Sequence, residues 1–428
     1  MKIFKFLGKN FHIKTKKKIR QSKNLCIFCK GSKLLCGKKR CPILVKLLAK
    51  IKLEPLIEKK EIEGSSPPSV FVGRYGYPKV YVGPLIPPFK GNTEFMDLPE
   101  AWYGKSIEEI VNLRFSLIRG KKLLKVNEIE GRFQSYLQEL AMSKKHVDVN
   151  AEFRKKPFHK IVLRDDVQPI GPSAPLKKLE IENPKTDKRF EKVYYDFDWK
   201  AVEAVFWLYK KGVEVSRIQR AFSVGIMGIR KNRKFVPTRW SITAVDDIIS
   251  KRLIEKLKGF EALDKFRVFH GEYIGNRWLI IFFPEEWSYE SIEAWYPGTL
   301  WNPDENNVAI GGDYEPFEGR TTYASIGGCY YSGRLAVCEY LIKEKRQASV
   351  LILREIHPAY IMPVGVWQVR ESIRTILRQN QFHQFDEFQK VLEFIKEKME
   401  IPVKLWIENS VMLKNYLYQR KLKEFIKL

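Results

Sequence analysis

Short β-rich apolar runs and 3.6-residue apolar periods divide the chain into predicted strands and helices. Ser69-Val70-Phe71-Val72 and Lys79-Val80-Tyr81-Val82 read as strands of a hairpin whose tip is Gly73-Arg74-Tyr75-Gly76-Tyr77-Pro78. Phe266 to Phe269, Trp278 to Phe283, Val350 to Glu355 and Val403 to Ile407 read as further strands, with Trp278 to Phe283 the densest apolar run and Val350 to Glu355 a strong buried strand. Ile43 to Ile51 has helical spacing. Ser106 with Glu109 forms a capping box that opens a helix over Ile107 to Arg119, stopped by Gly120. Further helices are predicted over Glu130 to Met142, from Asp198 through Tyr209, from Ser216 towards Phe222, and from a Thr243 cap with Asp246 at its third position. Gly333 to Lys343, Trp367 to Arg378, the amphipathic Phe385 to Met399 and a piece from Ser410 into the tail complete the helices. Glu61 to Pro68 reads as a linker from its Gly, Ser and Pro content, Lys155 to Pro184 as proline-punctuated loop, and Trp287 to Pro316 as irregular and acidic.

This order of elements predicts a mixed α/β, multi-domain protein. The expected parts are a flexible basic leader over 1–24, a cysteine knuckle and linker over 25–66, a large central domain over 67–300, a smaller C-terminal α/β domain over 301–410, and a tail over 411–428. No apolar run approaches the roughly 20 residues that a membrane span needs, and no secretory segment is visible, so a cytoplasmic location is expected.

Charge changes the picture most. The net charge is +27, and residues 1–60 hold about 19 Lys and Arg against Glu54 and Glu58 alone. Such an arm suits a polyanion, with nucleic acid favoured through phosphate contacts and counterion release. A solvated leader or a heat-adapted Lys-rich composition is the plainer reading. Anionic lipid fits less well, because Lys14 to Arg20 lacks an apolar face.

Four of the six cysteines, Cys26, Cys29, Cys36 and Cys41, are spaced C-x2-C-x6-C-x4-C. Two thiolates from a C-x2-C turn and two more close a tetrahedral sulfur shell, as zinc requires; an iron–sulfur cluster on the same four is the alternative. Gly31 and Gly37 relieve the backbone, and the surrounding lysines favour thiolate. Cys329 and Cys338 lack a second pair and read as packing residues.

Arg230-Lys231-Asn232-Arg233-Lys234-Phe235-Val236-Pro237-Thr238-Arg239-Trp240-Ser241-Ile242-Thr243 interleaves bases, aromatics and hydroxyls ahead of a helix. Arg230, Lys231, Arg233 and Arg239 are candidate phosphate contacts, with Arg74 at the hairpin tip beside Tyr75 and Tyr77. The alternative is a solvated loop anchored by Trp240. For acid–base or metal chemistry the candidates are Glu355, His357, Arg370 and Glu371, with Asp246, Asp247 and Tyr360 as neighbours in kind. No nuclease, glycosylase or ligase signature accompanies them, and a His before Pro equally serves structure.

Lys234 to Asp247, Ser69 to Leu85, Ile326 to Tyr331 and Gly365 to Glu371 resemble the archaeal Nre family of DNA-repair proteins from Leu25 onward. That resemblance implies a four-cysteine zinc finger on Cys26, Cys29, Cys36 and Cys41, a role in DNA-damage repair, and a C-terminal motif for the replication sliding clamp. Gln419, Leu422, Phe425 and Ile426 fit the clamp pattern Q-x-x-L-x-x-F-hydrophobic, with Ile426 where the strongest form has a second aromatic. By pattern alone they equally read as the end of an amphipathic helix docked on the protein's own core. The resulting expectation is a nucleoid-associated repair factor that binds damaged or branched DNA and is recruited to the clamp. The alternatives are a non-enzymatic adaptor linking DNA, clamp and other repair enzymes, and an RNA-binding zinc protein.

Overall fold

The computed structural model describes residues 11–12, 28–36, 38, 40–159, 168–182, 184–299, 301–302, 304 and 306–418. It is mixed α/β and divides into two compact units. One comprises Pro42–Arg252 with Met362–Gln368; the other comprises Leu253–Ile361 and Val369–Leu428, together with the described residues before Pro42.

The first unit is built on a six-stranded sheet, in the order Glu61–Ser66, Val147–Phe153, Ser173–Glu182, Ile118–Lys125, Lys79–Ile86, Val70–Val72. Only Ile118–Lys125 and Ser173–Glu182 pair in parallel. Val80, Val82, Ile118, Val149, Ala151 and Phe153 are buried, and the Arg132–Met142 helix packs against the sheet. Side chains alternate across a strand, so burying this set turns Lys79, Tyr81, Lys121 and Leu123 the other way.

Four sequence expectations change here, the first being that Lys155 to Pro184, expected as loop, supplies the strand Ser173–Glu182. Glu61–Ser66 is a paired strand rather than a linker. A Cβ on Gly64 would stand 1.8 Å from the Pro87 carbonyl oxygen, so its small residues serve close packing and not flexibility. The capping box at Ser106 and Glu109 is present, yet the helix ends at Phe115 and Arg119 and Gly120 belong to a strand. Gly120 is placed by sheet packing, since a Cβ on Gly83 would meet its carbonyl oxygen at 1.6 Å. The helix predicted from Thr243 spans Thr238–Leu257, and Thr238 Oγ1 accepts a hydrogen bond from Val72 N at 2.9 Å.

The second unit centres on a seven-stranded sheet, in the order Phe11–His12, Asn307–Glu315, Ser288–Trp295, Ser349–Ile356, Asn276–Phe283, Phe266–Tyr273, His383–Phe385. Leu279, Ile281, Ile292, Ala294, Leu351 and Leu353 form one face of its core. They pack with Val391, Phe394, Ile395, Trp406 and Leu413 from the helices Phe388–Lys398, Val403–Asn409 and Val411–Tyr418. On the opposite face lies the Gly328–Glu344 helix, where a Cβ on Gly333 would come within 3.4 Å of Tyr289, Ile352 and Ile373.

Residues 287–316, expected to be irregular, supply two of these strands. Their apolar pattern is masked by acids that tertiary contacts bury: Glu290, Glu293 and Glu315. The boundary expected at residue 300 therefore falls between paired strands. Val403 to Ile407 is helix rather than strand; a short apolar run does not separate the two by period.

Candidate nucleic-acid interface

The open face of the six-stranded sheet gathers cations and rings. Lys79 pairs with Lys125, Tyr81 with Leu123 and Leu85 with Arg119 across two antiparallel strands, which puts these residues on one side. Tyr81 is 47% exposed, and Lys121 Nζ lies 5.9 Å from the centre of its ring. The Arg119 guanidinium lies 5.6 Å from the Phe71 ring. On the two far strands Glu61 is exposed, while Glu63 pairs with Lys90 at 3.4 Å and Glu152 with Lys177 at 2.6 Å.

Arg119 is the unusual member. Among the described residues its guanidinium has one hydrogen bond, to the Gly171 carbonyl at 3.3 Å, and no carboxylate partner; its Nε is buried without a partner. Burial pulls its pKa down to about 10. Burial, and then the charge of Arg119, lowers Lys121 as well. Two neighbouring cations withdrawn from water without an acid favour any anion that reaches them.

The same hairpin carries more rings at its tip. Tyr75 is 80% exposed with the Arg74 guanidinium 5.0 Å from its ring centre, and Tyr77 lies 5.3 Å from Trp240. The bond from Val72 to Thr238 holds the helix start beside the hairpin, so two residues 166 positions apart in sequence meet here. Arg239 is exposed and makes no hydrogen bond or ion pair among the described residues.

The remaining phosphate candidates lie elsewhere. Arg230 and Lys231 line a cavity of about 340 Å³ with Glu128, Glu130 and Gln134, and Arg230 approaches Glu130 at 3.4 Å. Arg233 is corrected to a structural residue. It is buried, and its guanidinium donates to the carbonyls of Gly228, Val193, Tyr194 and Asp196, so it holds loops together and does not face phosphate. Sequence reading missed Tyr81, Arg119 and Lys121. Tyr81 lies in a predicted strand, but the run Arg119 to Lys125 has no clean polar–apolar alternation, so the side these residues share comes only from strand pairing.

The four catalytic candidates do not form one site. Glu355 is fully buried; its Oε1 accepts from Ile401 N at 2.7 Å, and its Oε2 lies 3.3 Å from His357 Nε2 and 3.6 Å from Arg277. His357 stacks on Tyr296 at 4.3 Å. Arg370 donates to Glu371 at 3.1 Å, Glu371 accepts from Arg374 at 2.8 Å, and Arg374 grips Glu339 through two bonds of 2.7 Å. That chain staples the Trp367–Arg378 helix to Gly328–Glu344, on the sheet face opposite Glu355. Asp246 is buried and accepts from Gln219, Asp247 pairs with Lys251, and Tyr360 sits in a turn whose amide bonds the His357 carbonyl.

Of the cysteine knuckle, Cys26 lies outside the described residues, as do the clamp-motif residues Gln419, Leu422, Phe425 and Ile426. Cys29 is buried, and backbone N–H groups led by that of Leu35, with Gly31, Lys33 and Leu34 contributing, hold its thiol below the usual value against the opposing effect of burial. The turn that aims them has Lys30, Gly31 and Leu34 at positive φ. Such donors stabilise a thiolate at Cys29. Among the described residues no three His, Cys, Asp or Glu side chains converge on a metal position. Cys338 is fully buried in its helix, as expected of a packing residue.

Two sheet-centred units, one presenting a basic and aromatic sheet face, define a two-unit mixed α/β protein. The profile described as Archaeal Nre, N-terminal, matches residues 35–302, and that described as Archaeal Nre, C-terminal, matches residues 315–425. The chain belongs to the archaeal Nre family. It is 43% identical over 402 residues to the DNA repair protein NreB of Archaeoglobus fulgidus, covering 94% of this chain and 100% of the relative. It is 42% identical over 369 residues to DNA repair protein NreA of the same organism (85% and 91% covered) and 37% identical over 336 residues to NreA of Haloferax volcanii (76% and 80%). No solved structure matches. The junction between the two profiles falls within the seven-stranded sheet, whereas the compact units part at Arg252 and Leu253. Among the described residues no helix is long and apolar enough to cross a membrane.

Proposed function

We propose that this chain is a DNA-repair factor that binds damaged or branched DNA, carries a metal knuckle, and is recruited to the replication sliding clamp. Membership of a family whose relatives are named DNA repair proteins supports the role. The observation that carries DNA binding is the Arg119–Lys121 pair, which has no acidic partner among the described residues, on a sheet face that also bears the exposed Tyr81. The basic residues before position 60 add sequence-independent affinity.

Reversing two face charges tests this. Lys121→Glu/Lys125→Glu should weaken DNA binding at least tenfold and flatten the dependence of log affinity on log salt by about 2. The same charge change at exposed positions of the other unit, Lys390→Glu/Lys404→Glu, should leave both nearly unchanged. Equal losses from the two pairs would reduce the effect to net charge and remove the face from the proposal.

Cys26, Cys29, Cys36 and Cys41 hold one zinc ion, which ties the knuckle together. Elemental analysis of reduced full-length protein should find one zinc per chain and lose it on Cys29→Ser with the remainder folded. Iron with visible charge-transfer absorption would substitute a cluster, and absence of metal would refute the site. The adaptor reading is favoured by one observation: Arg370 and Glu371 are engaged in a structural staple, and Glu355 holds the Ile401 amide. In that reading the chain presents DNA and clamp to another repair enzyme, and purified protein leaves damaged DNA chemically unchanged.

A further inference from the structure

We infer that the open face takes single-stranded DNA, with an unstacked base lying on Tyr81 and the backbone phosphates meeting Lys121 and Arg119. The inference rests on the reading of this face as a DNA interface and names the form of DNA it accepts. An exposed aromatic face gains most from another π-face, and in a duplex those faces are hidden inside the stack. A duplex offers a protein its phosphates and groove edges, which lysines alone would satisfy. Here rings and cations alternate instead: Arg119 beside Phe71, Lys121 beside Tyr81, Arg74 beside Tyr75.

Charge sets the track. Lys79, Arg119, Lys121 and Lys125 gather on the half of the sheet formed by Lys79–Ile86 and Ile118–Lys125. Glu63 and Glu152 on the far strands already have Lys90 and Lys177 as partners, so the cations of the first half draw a polyanion there. Arg119 and Lys121, which lack an acid of their own among the described residues, acquire their counter-ion from the strand that lies there.

Fluorescence anisotropy with full-length protein, a short oligo-dT strand and a blunt duplex of matched length tests this. Oligo-dT should bind more tightly than the duplex. Tyr81→Ala should weaken oligo-dT binding about tenfold and leave duplex binding unchanged, while Tyr81→Phe, which keeps the π-face, stays near wild type. Tyr81→Leu keeps apolar bulk without the π-face and should behave as Tyr81→Ala, which guards against loss through misfolding. Equal affinity for duplex and oligo-dT, both indifferent to Tyr81, would overturn the single-strand inference while leaving the face a DNA interface if Lys121→Glu/Lys125→Glu still weakens both. If that charge reversal also changes nothing, the interface reading itself fails. Tighter binding of oligo-rU than of oligo-dT would assign the face to RNA and overturn the proposal.

Discussion

Arg354→Met is expected to lower the stability of the folded chain by about 3–5 kcal/mol. Arg354 lies on Ser349–Ile356, the central strand of the seven-stranded sheet, and is almost wholly buried. Its Nη1 donates to Glu293 Oε1 at 2.6 Å, and its Nε and Nη2 donate to Asn276 Oδ1 at 3.0 and 2.7 Å. Its guanidinium also lies 4.7 Å from the Trp278 ring centre. Methionine fills the volume but leaves the buried Glu293 carboxylate and the Asn276 carbonyl without their donor. The penalty therefore comes from the stranded partners and not from lost apolar area. Arg354→Met/Glu293→Met, which removes both charges, should lose less than Arg354→Met alone. Urea unfolding of the single and double variants measures the difference. A single-variant loss under about 1 kcal/mol would show that the pair is of little consequence to the fold.

Deleting residues 419–428 should abolish clamp binding, a fall of more than about a hundredfold, with Tm shifted by less than about 2 °C. The separation of effects follows from how the preceding helix is held. Glu290, buried in the sheet, accepts hydrogen bonds from Val411 N at 2.7 Å, Met412 N at 2.9 Å and Ser410 Oγ at 2.6 Å. Tyr416 packs its ring against Phe266, Phe283 and Phe388 at 4.6–5.5 Å. The Val411–Tyr418 helix is thus anchored by contacts made before residue 419. Leu422, Phe425 and Ile426 would supply the apolar plug for a clamp pocket and Gln419 its polar edge. Phe425→Ala should reproduce most of the binding loss. A large fall in Tm with clamp binding intact would make the tail part of the core.

Particular residues show why some of the fold was legible and some was not. The Ser106–Glu109 capping box, the Trp367–Arg378 helix and the Val350–Glu355 strand were readable because their signals are local: a cap, a strong 3.6-residue period, an unbroken apolar run. The Ser288–Trp295 and Asn307–Glu315 strands were not. Their inward positions include Glu290, Glu293 and Glu315, and an acid reads as exposed until its partner is known. Glu315 meets Arg334 at 2.6 Å, nineteen positions along the chain, and Glu290 meets a helix start more than a hundred positions away.

The candidate site divides in the same way. Arg74, Tyr75, Tyr77, Arg239 and Trp240 stood out as basic and aromatic residues beside turns or a helix start, and the structure brings Tyr77 to Trp240. Arg233 carried the same sequence signal and turned inward, because whether a guanidinium faces solvent or carbonyls depends on the loops around it. By itself the sequence determined the charge excess, the cysteine spacing, the family and the more strongly patterned elements, since each depends on residue identity or on neighbours a few positions apart. Tertiary structure alone decided which side of the six-stranded sheet stays open. It also decided which acids are buried, and that Glu355 and Arg370 lie on opposite faces. These outcomes depend on strand order and on partners distant in sequence, and no local period encodes them.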